Sequence, residues 1–128
     1  MKIKLTSVLV DDQEKAHKFY TGVLGFVTKH DIPMGGPRWL TVVSPEGPDD
    51  VELLLEPTGF EFAKTYQKAL FDAGIPLMAF AVSDIQAEYE RLKKLGVVFK
   101  SEPQKMGSGP AIAVFNDTCG NFIQIFEA

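Results

Sequence analysis

The spacing of apolar residues along the chain switches between two periods. The opening run IKLTSVLV at 3–10 reads as a strand. Ala16, Phe19, Tyr20, Val23 and Leu24 then recur at i, i+3, i+4, i+7 and i+8, one continuous helical stripe. Asp11 or Asp12 supplies the N-cap, since a short carboxylate accepts from the orphan N–H groups of a first turn, and Gly25 supplies the stop. Strands are expected near 26–31, 37–44 and 50–56, with PMGG at 33–36 forcing an irregular loop. The order then repeats: a strand at 77–82, a helix at 84–95 buried through Ile85, Tyr89, Leu92 and Leu95, Gly96 as its stop, and strands near 97–101, 110–116 and 121–127. Between them, 58–76 is expected to connect the halves, with a short helix from Glu61 to Phe71 carrying Phe62, Tyr66 and Leu70 and able to act as a lid.

The correspondence extends to single residues. Val10 and Asp12 recur 72 positions later as Val82 and Asp84, and Gly36 and Gly47 recur 73 positions later as Gly109 and Gly120. The last strands set Glu52 against Gln124, again 72 apart. Segments in the same order at nearly constant offset mark an internal repeat. The chain therefore reads as an α+β protein of two tandem βαβββ modules, 1–57 and 77–128, joined by the connector 58–76.

Composition narrows the function classes. The 45% hydrophobic and 23% charged fractions are those of a globular domain. A net charge of −4, with lysines and arginines scattered, argues against nucleic acid as a partner. The single cysteine, Cys119, excludes an intrachain disulfide and a multi-thiolate zinc site. The N-terminal apolar run is too short for a signal peptide and no stretch reaches a bilayer-spanning length, so a cytoplasmic location with no membrane partner is expected.

Two motifs carry a family resemblance. V-x-D-x-x-x-A-x-x-F-Y-x-x-x-L-G-F runs from Val10 to Phe26, and D-x-x-G-N-x-I from Asp117 to Ile123. With the paired modules, they resemble the vicinal oxygen chelate superfamily, which includes glyoxalase I, bleomycin- and fosfomycin-resistance proteins and extradiol dioxygenases. The resemblance implies sheets curled into a U-shaped, partly open barrel with the site on its concave face. It also implies four metal positions, one on each opening and each closing strand. Here these fall on Leu5, Leu77, Glu52 and Gln124. Leucine has no donor atom, so no metal cofactor is expected. Were a zinc, nickel, manganese or iron ion present, Glu52 and Gln124 would hold it, with His30 reaching across a dimer as the one nameable helper.

The resulting expectation is metal-independent binding of a small, partly aromatic or anionic molecule, as in the bleomycin-resistance proteins. The alternatives are a metal-dependent lyase, isomerase or dioxygenase of the glyoxalase I and extradiol type, and a regulatory subunit with a vestigial site. A homodimer is implied by the same resemblance. The expected cavity residues are Leu5, Trp39, Arg38, Glu52, Leu77, Phe122, Gln124 and Phe126. Gln124 would lie near Glu52, with Leu5 and Leu77 on either side, unless the amide and the carboxylate simply bond each other. Glu52 is the best candidate for a general base, with a raised pKa if its surroundings are dry and an ordinary solvated carboxylate if they are wet. Arg38 and Trp39 alternate on one strand, so one faces inward; packing and solvation are their competing roles. His17 is expected in water, and His30 at a strand end.

Overall fold

Asp12 and Asp84 both do what their positions require. Each sits in extended backbone, and each side chain accepts from the N–H three residues on, Lys15 and Ala87 respectively. The computed structural model describes all 128 residues, which divide into two compact units, Met1–Lys64 and Thr65–Ala128. The expected modules 1–57 and 77–128 lie within these units, and the boundary falls inside the helix between them. No helix is long and apolar enough to cross a membrane.

In the first unit, β1 (Leu5–Val10), β2 (Val27–Pro33), β3 (Arg38–Val43) and β4 (Glu52–Pro57) form one sheet in the order β1-β4-β3-β2, with β1 and β4 parallel. Helix α1 (Gln13–Lys18) runs into a π turn at Phe19–Val23. The wider turn has a visible cause: Thr21 Oγ1 donates to the His17 carbonyl at 2.6 Å, and Leu24 N–H reaches back to Phe19. The apolar stripe survives this change, because Ala16, Phe19 and Tyr20 are buried. They cover a sheet face carrying Val8, Leu40, Val42, Leu53 and Leu55, each buried and each stabilising the fold by about 1.5–3 kcal/mol. Gln13 fastens helix to sheet: its amide donates to the carbonyls of Arg38 and Leu55 and accepts from Arg38 N–H.

The second unit repeats the plan with β5 (Met78–Val82), β7 (Ala111–Asn116), β8 (Phe122–Glu127) and the two-residue β6 (Gln104–Lys105), in the order β5-β8-β7-β6. Helix α3 (Ile85–Lys94) buries Ile85, Tyr89 and Leu92, while Leu95 is exposed beyond its end. The strand expected at 97–101 is reduced to a single bridge between Phe99 and Phe115.

Helix α2 (Glu61–Asp72) forms where a short helix from Glu61 to Phe71 was expected. Phe62 and Tyr66 are exposed, and its buried residue is Gln67. Gln67 Nε2 donates to the Cys119 carbonyl and to Asn121 Oδ1. Asn121 Nδ2 donates to Asp117 Oδ2, and Asp117 Oδ1 accepts from the N–H groups of Cys119 and Asn121. The D-x-x-G-N turn is thus a closed hydrogen-bond ring, and it holds the second half of α2 in place.

The two sheets differ in register. Val10 on β1 lies opposite Pro57, whereas its repeat mate Val82 on β5 lies opposite Glu127, 70 residues later instead of 72. Relative to its opening strand, β8 has therefore slipped by two residues against β4.

Candidate functional site

Glu52 begins β4 on the face away from α1, with Leu5 as its strand partner. Leu54 and Glu56 share that face by alternation, as do Trp39, Thr41 and Val43 on β3. On β2, pairing runs regularly through Val27 and Thr28, skips Lys29 and resumes with His30 opposite Thr41. Without this bulge, Lys29 would face Thr41; the extra residue turns the imidazole onto the face instead. His30 is thus mid-strand, not at the strand end expected from the sequence.

The bulge completes a compact cluster. Thr41 Oγ1 donates to Glu52 Oε1 at 2.7 Å, and His30 Nδ1 meets the same oxygen at 2.9 Å. Chiefly the Thr41 hydroxyl, then the His30 ring, hold the Glu52 carboxyl below its ordinary 4.5, and Lys29 adds a smaller push against the opposing effect of burial. This is the reverse of the shift a dry cavity would give. Glu52 is ionised near neutral pH, so the imidazole nitrogen facing it carries a proton, because a lone pair there would be repelled. Thr41 is fully buried, Glu52 and Trp39 are half-buried, and Leu5 is exposed.

Arg38 lies on the other side of the same strand. Its guanidinium makes a bidentate pair with Asp31 at 2.9 and 2.8 Å and reaches Glu14 at 3.5 Å and His17 Nδ1 at 3.4 Å. Asp31 is held below the usual carboxylate range by that bond. Alternation thus gives Trp39, and not Arg38, to the face that bears Glu52. His17 is half-buried between Arg38 and Thr28 Oγ1, 2.8 Å away, and not out in water.

In the second unit, Phe122, Gln124 and Phe126 are half-buried on the face away from α3, beside Ala79 on β5 and Val114 on β7. The register sets Gln124 opposite Ala79, and Leu77 bonds through its N–H to the Phe122 carbonyl at 2.9 Å. The Phe122 ring is engaged by Phe71, stacked at 4.5 Å, and by the Lys100 ammonium, 4.5 Å from its centroid. Gln124 differs from every buried polar residue of this unit, for its amide has no hydrogen-bond partner in the chain. Both its donor and its acceptor are presented to solvent from an apolar surround.

The Glyoxalase/Bleomycin resistance protein/Dioxygenase superfamily model matches residues 2–125. The chain belongs to this superfamily. Superfamily relatives cover it end to end. YurT of Bacillus subtilis, an uncharacterized protein, is 56% identical over 99% of both chains. The crystal structure of UcmS2 superposes with a TM-score of 0.84 at 32% identity, covering 100% of this chain and 98% of that one. TnmS3, an antibiotic binding protein from Streptomyces sp. CB03234, superposes at 0.77 with 29% identity, covering 99% and 95%.

Superfamily metal enzymes need three or four donors around an ion. The donor set here does not fit that requirement. Leu5, the neighbour of Glu52, and Leu77 offer only hydrocarbon, and no three His, Cys, Asp or Glu side chains are placed so that they could hold a metal ion. Glu52 Oε1 already accepts two hydrogen bonds. His30, the proposed outside helper, turns its Nδ1 to that carboxylate within its own unit.

Sequence reasoning missed three working residues: Thr41, Gln13 and Gln67. A threonine within the apolar run WLTVV was the only available sign of the first. Nothing local marks the other two, whose partners are 25 to 54 residues away.

Proposed function

We propose that the protein binds a small, partly aromatic molecule without a metal ion and without turning it over. The observation that carries this reading is Gln124: an amide with no protein partner, centred between Phe122 and Phe126 on a strand that otherwise satisfies its polar groups. An apolar surface with a few converging polar groups is the usual construction of a small-molecule site. Within the first unit, Trp39 gives the face that bears Glu52 an aromatic surface of its own. The likeness to TnmS3, an antibiotic binding protein, points the same way, and the missing donors weigh against the lyase and dioxygenase alternatives.

The test is calorimetric titration of chelator-treated protein with a panel of planar aromatic compounds, followed by analysis of the recovered ligand. Binding that persists in chelator, weakens in Gln124→Leu and returns the ligand intact supports the reading. Product formation that requires added metal overturns it, and binding of no compound in the panel leaves the site vestigial.

A further inference from the structure

The cluster on β2, β3 and β4 contains an atom that the binding proposal has not used. His30 Nδ1 is committed to Glu52, and Glu52 is in turn held by the Thr41 hydroxyl. This arrangement fixes both the rotation of the ring and the position of its proton. A carboxylate on one side of a neutral imidazole leaves the opposite nitrogen, Nε2, as an acceptor. Nε2 has no partner in the chain, and the His30 side chain remains 42% exposed.

Its neighbours on the face are apolar and aromatic. Trp39 stands two residues from Thr41 on β3 and pairs with Ile32, itself two residues from His30 on β2. A flat ring lying against Trp39 and Ile32 would bring an edge substituent to His30. Resting on the binding function argued above, we infer that His30 Nε2 is the specificity group for an aromatic ligand bearing a hydroxyl, accepting that hydroxyl's hydrogen bond. Glu52 and Thr41 are its positioning residues. The three strands supply an acceptor whose direction is set before the ligand arrives, so little ordering accompanies binding. A ligand that replaces the hydroxyl with a methoxy group has no proton to offer and leaves Nε2 desolvated and unpaired. Such mismatches weaken binding by about tenfold or more.

The experiment uses two matched pairs, 1- and 2-naphthol and their methyl ethers, titrated into the full chain in chelator at neutral pH and followed by NMR. For at least one pair, the naphthol is expected to bind about tenfold tighter than its ether. His30→Leu should bring that ratio to about one with the ether's affinity unchanged. His30→Asn keeps a donor for Glu52 but has no distal nitrogen, so a folded His30→Asn must lose the preference too. The positioning role is read from the imidazole nitrogen shifts: wild type should show the Nδ1–H tautomer, and Glu52→Gln should shift the population toward Nε2–H and reduce the naphthol preference. Equal affinity within both pairs, a preference that survives both His30 variants, or binding of neither pair overturns the inference. Equal affinity leaves the binding function standing, since that function is judged by the wider panel and by Gln124→Leu.

Discussion

Gly120 and Gln67 meet so closely that no side chain fits between them: a Cβ on Gly120 would stand 2.8 Å from Gln67 Nε2. The same glycine holds φ at +97°, in the left-handed region. Gly107 has a comparable φ of +61° but open space around it. Gly107→Ala should therefore lower stability by about 1 kcal/mol, the backbone penalty alone. Gly120→Ala should lower it by roughly 2–4 kcal/mol, because the Gln67 bonds to Cys119 and Asn121 are displaced as well. Urea unfolding midpoints of the two variants measure the difference, and equal losses would contradict the contact.

Asp117 should be less replaceable than any exposed carboxylate. It is fully buried and accepts three hydrogen bonds, two from backbone N–H groups and one from Asn121. Asp117→Ala leaves those donors buried without partners, an expected loss of about 3 kcal/mol in denaturant unfolding.

Glu52 sets a pH dependence of known sign. Its folded pKa lies below the ordinary 4.5, so the stability it adds is fully present above that value. That contribution disappears as pH falls from 4.5 through the folded pKa, where the unfolded chain has already taken up its proton. The stability gap between wild type and Glu52→Gln should be constant near neutrality and shrink across that acid window. A gap that widens with acid would mean the carboxyl is not held by Thr41 and His30.

Arg38 separates the two faces of β3. Because its guanidinium pairs with Asp31 on the side opposite Trp39, Arg38→Leu should leave the affinity for any aromatic ligand within about twofold. Trp39→Ala should weaken it by about tenfold. Thermal melting should report a small loss for the arginine variant, in line with a partly solvated ion pair.

A metal test isolates Leu5. Zinc, nickel, manganese or iron should not raise the melting temperature of the native protein. In Leu5→His, an imidazole would stand beside Glu52 as its strand partner, and nickel or zinc should then raise the melting temperature, an effect lost again in the double variant with Glu52→Ala. Near-stoichiometric metal in the native protein, measured by plasma mass spectrometry, would contradict the donor argument.

The helix starts and stops were readable because their causes are local. Asp12 and Asp84 cap atoms three residues away, and the Ala16–Phe19–Tyr20 stripe lies within two turns. For the candidate residues, alternation was legible within each sheet: Glu52 lies on the face of its own sheet turned away from α1, and Gln124 and Phe126 on the face of theirs turned away from α3. What failed to show depended on distance or parity. Arg38 and Trp39 could not be assigned to their faces from alternation alone. His30 reached Glu52 only through a bulge, which depends on the paired strand and leaves no mark in its own segment. Nothing near Gln67 in the sequence marked it as the buried side of α2, because its partners Cys119 and Asn121 lie more than fifty residues away.

The slip of β8 against β4 shows which changes a duplicated sheet tolerates. A displacement of two residues returns every side chain to the face it left, so the core never registers the event. What changes is acquaintance: Glu52 grew up beside Leu5, while Gln124 was handed to Ala79 instead of Leu77. The single extra residue at Lys29 is the odd-numbered counterpart, which inverts a strand and so must be confined to one spot. Even steps let the halves of such a protein drift apart in chemistry while remaining interchangeable in shape.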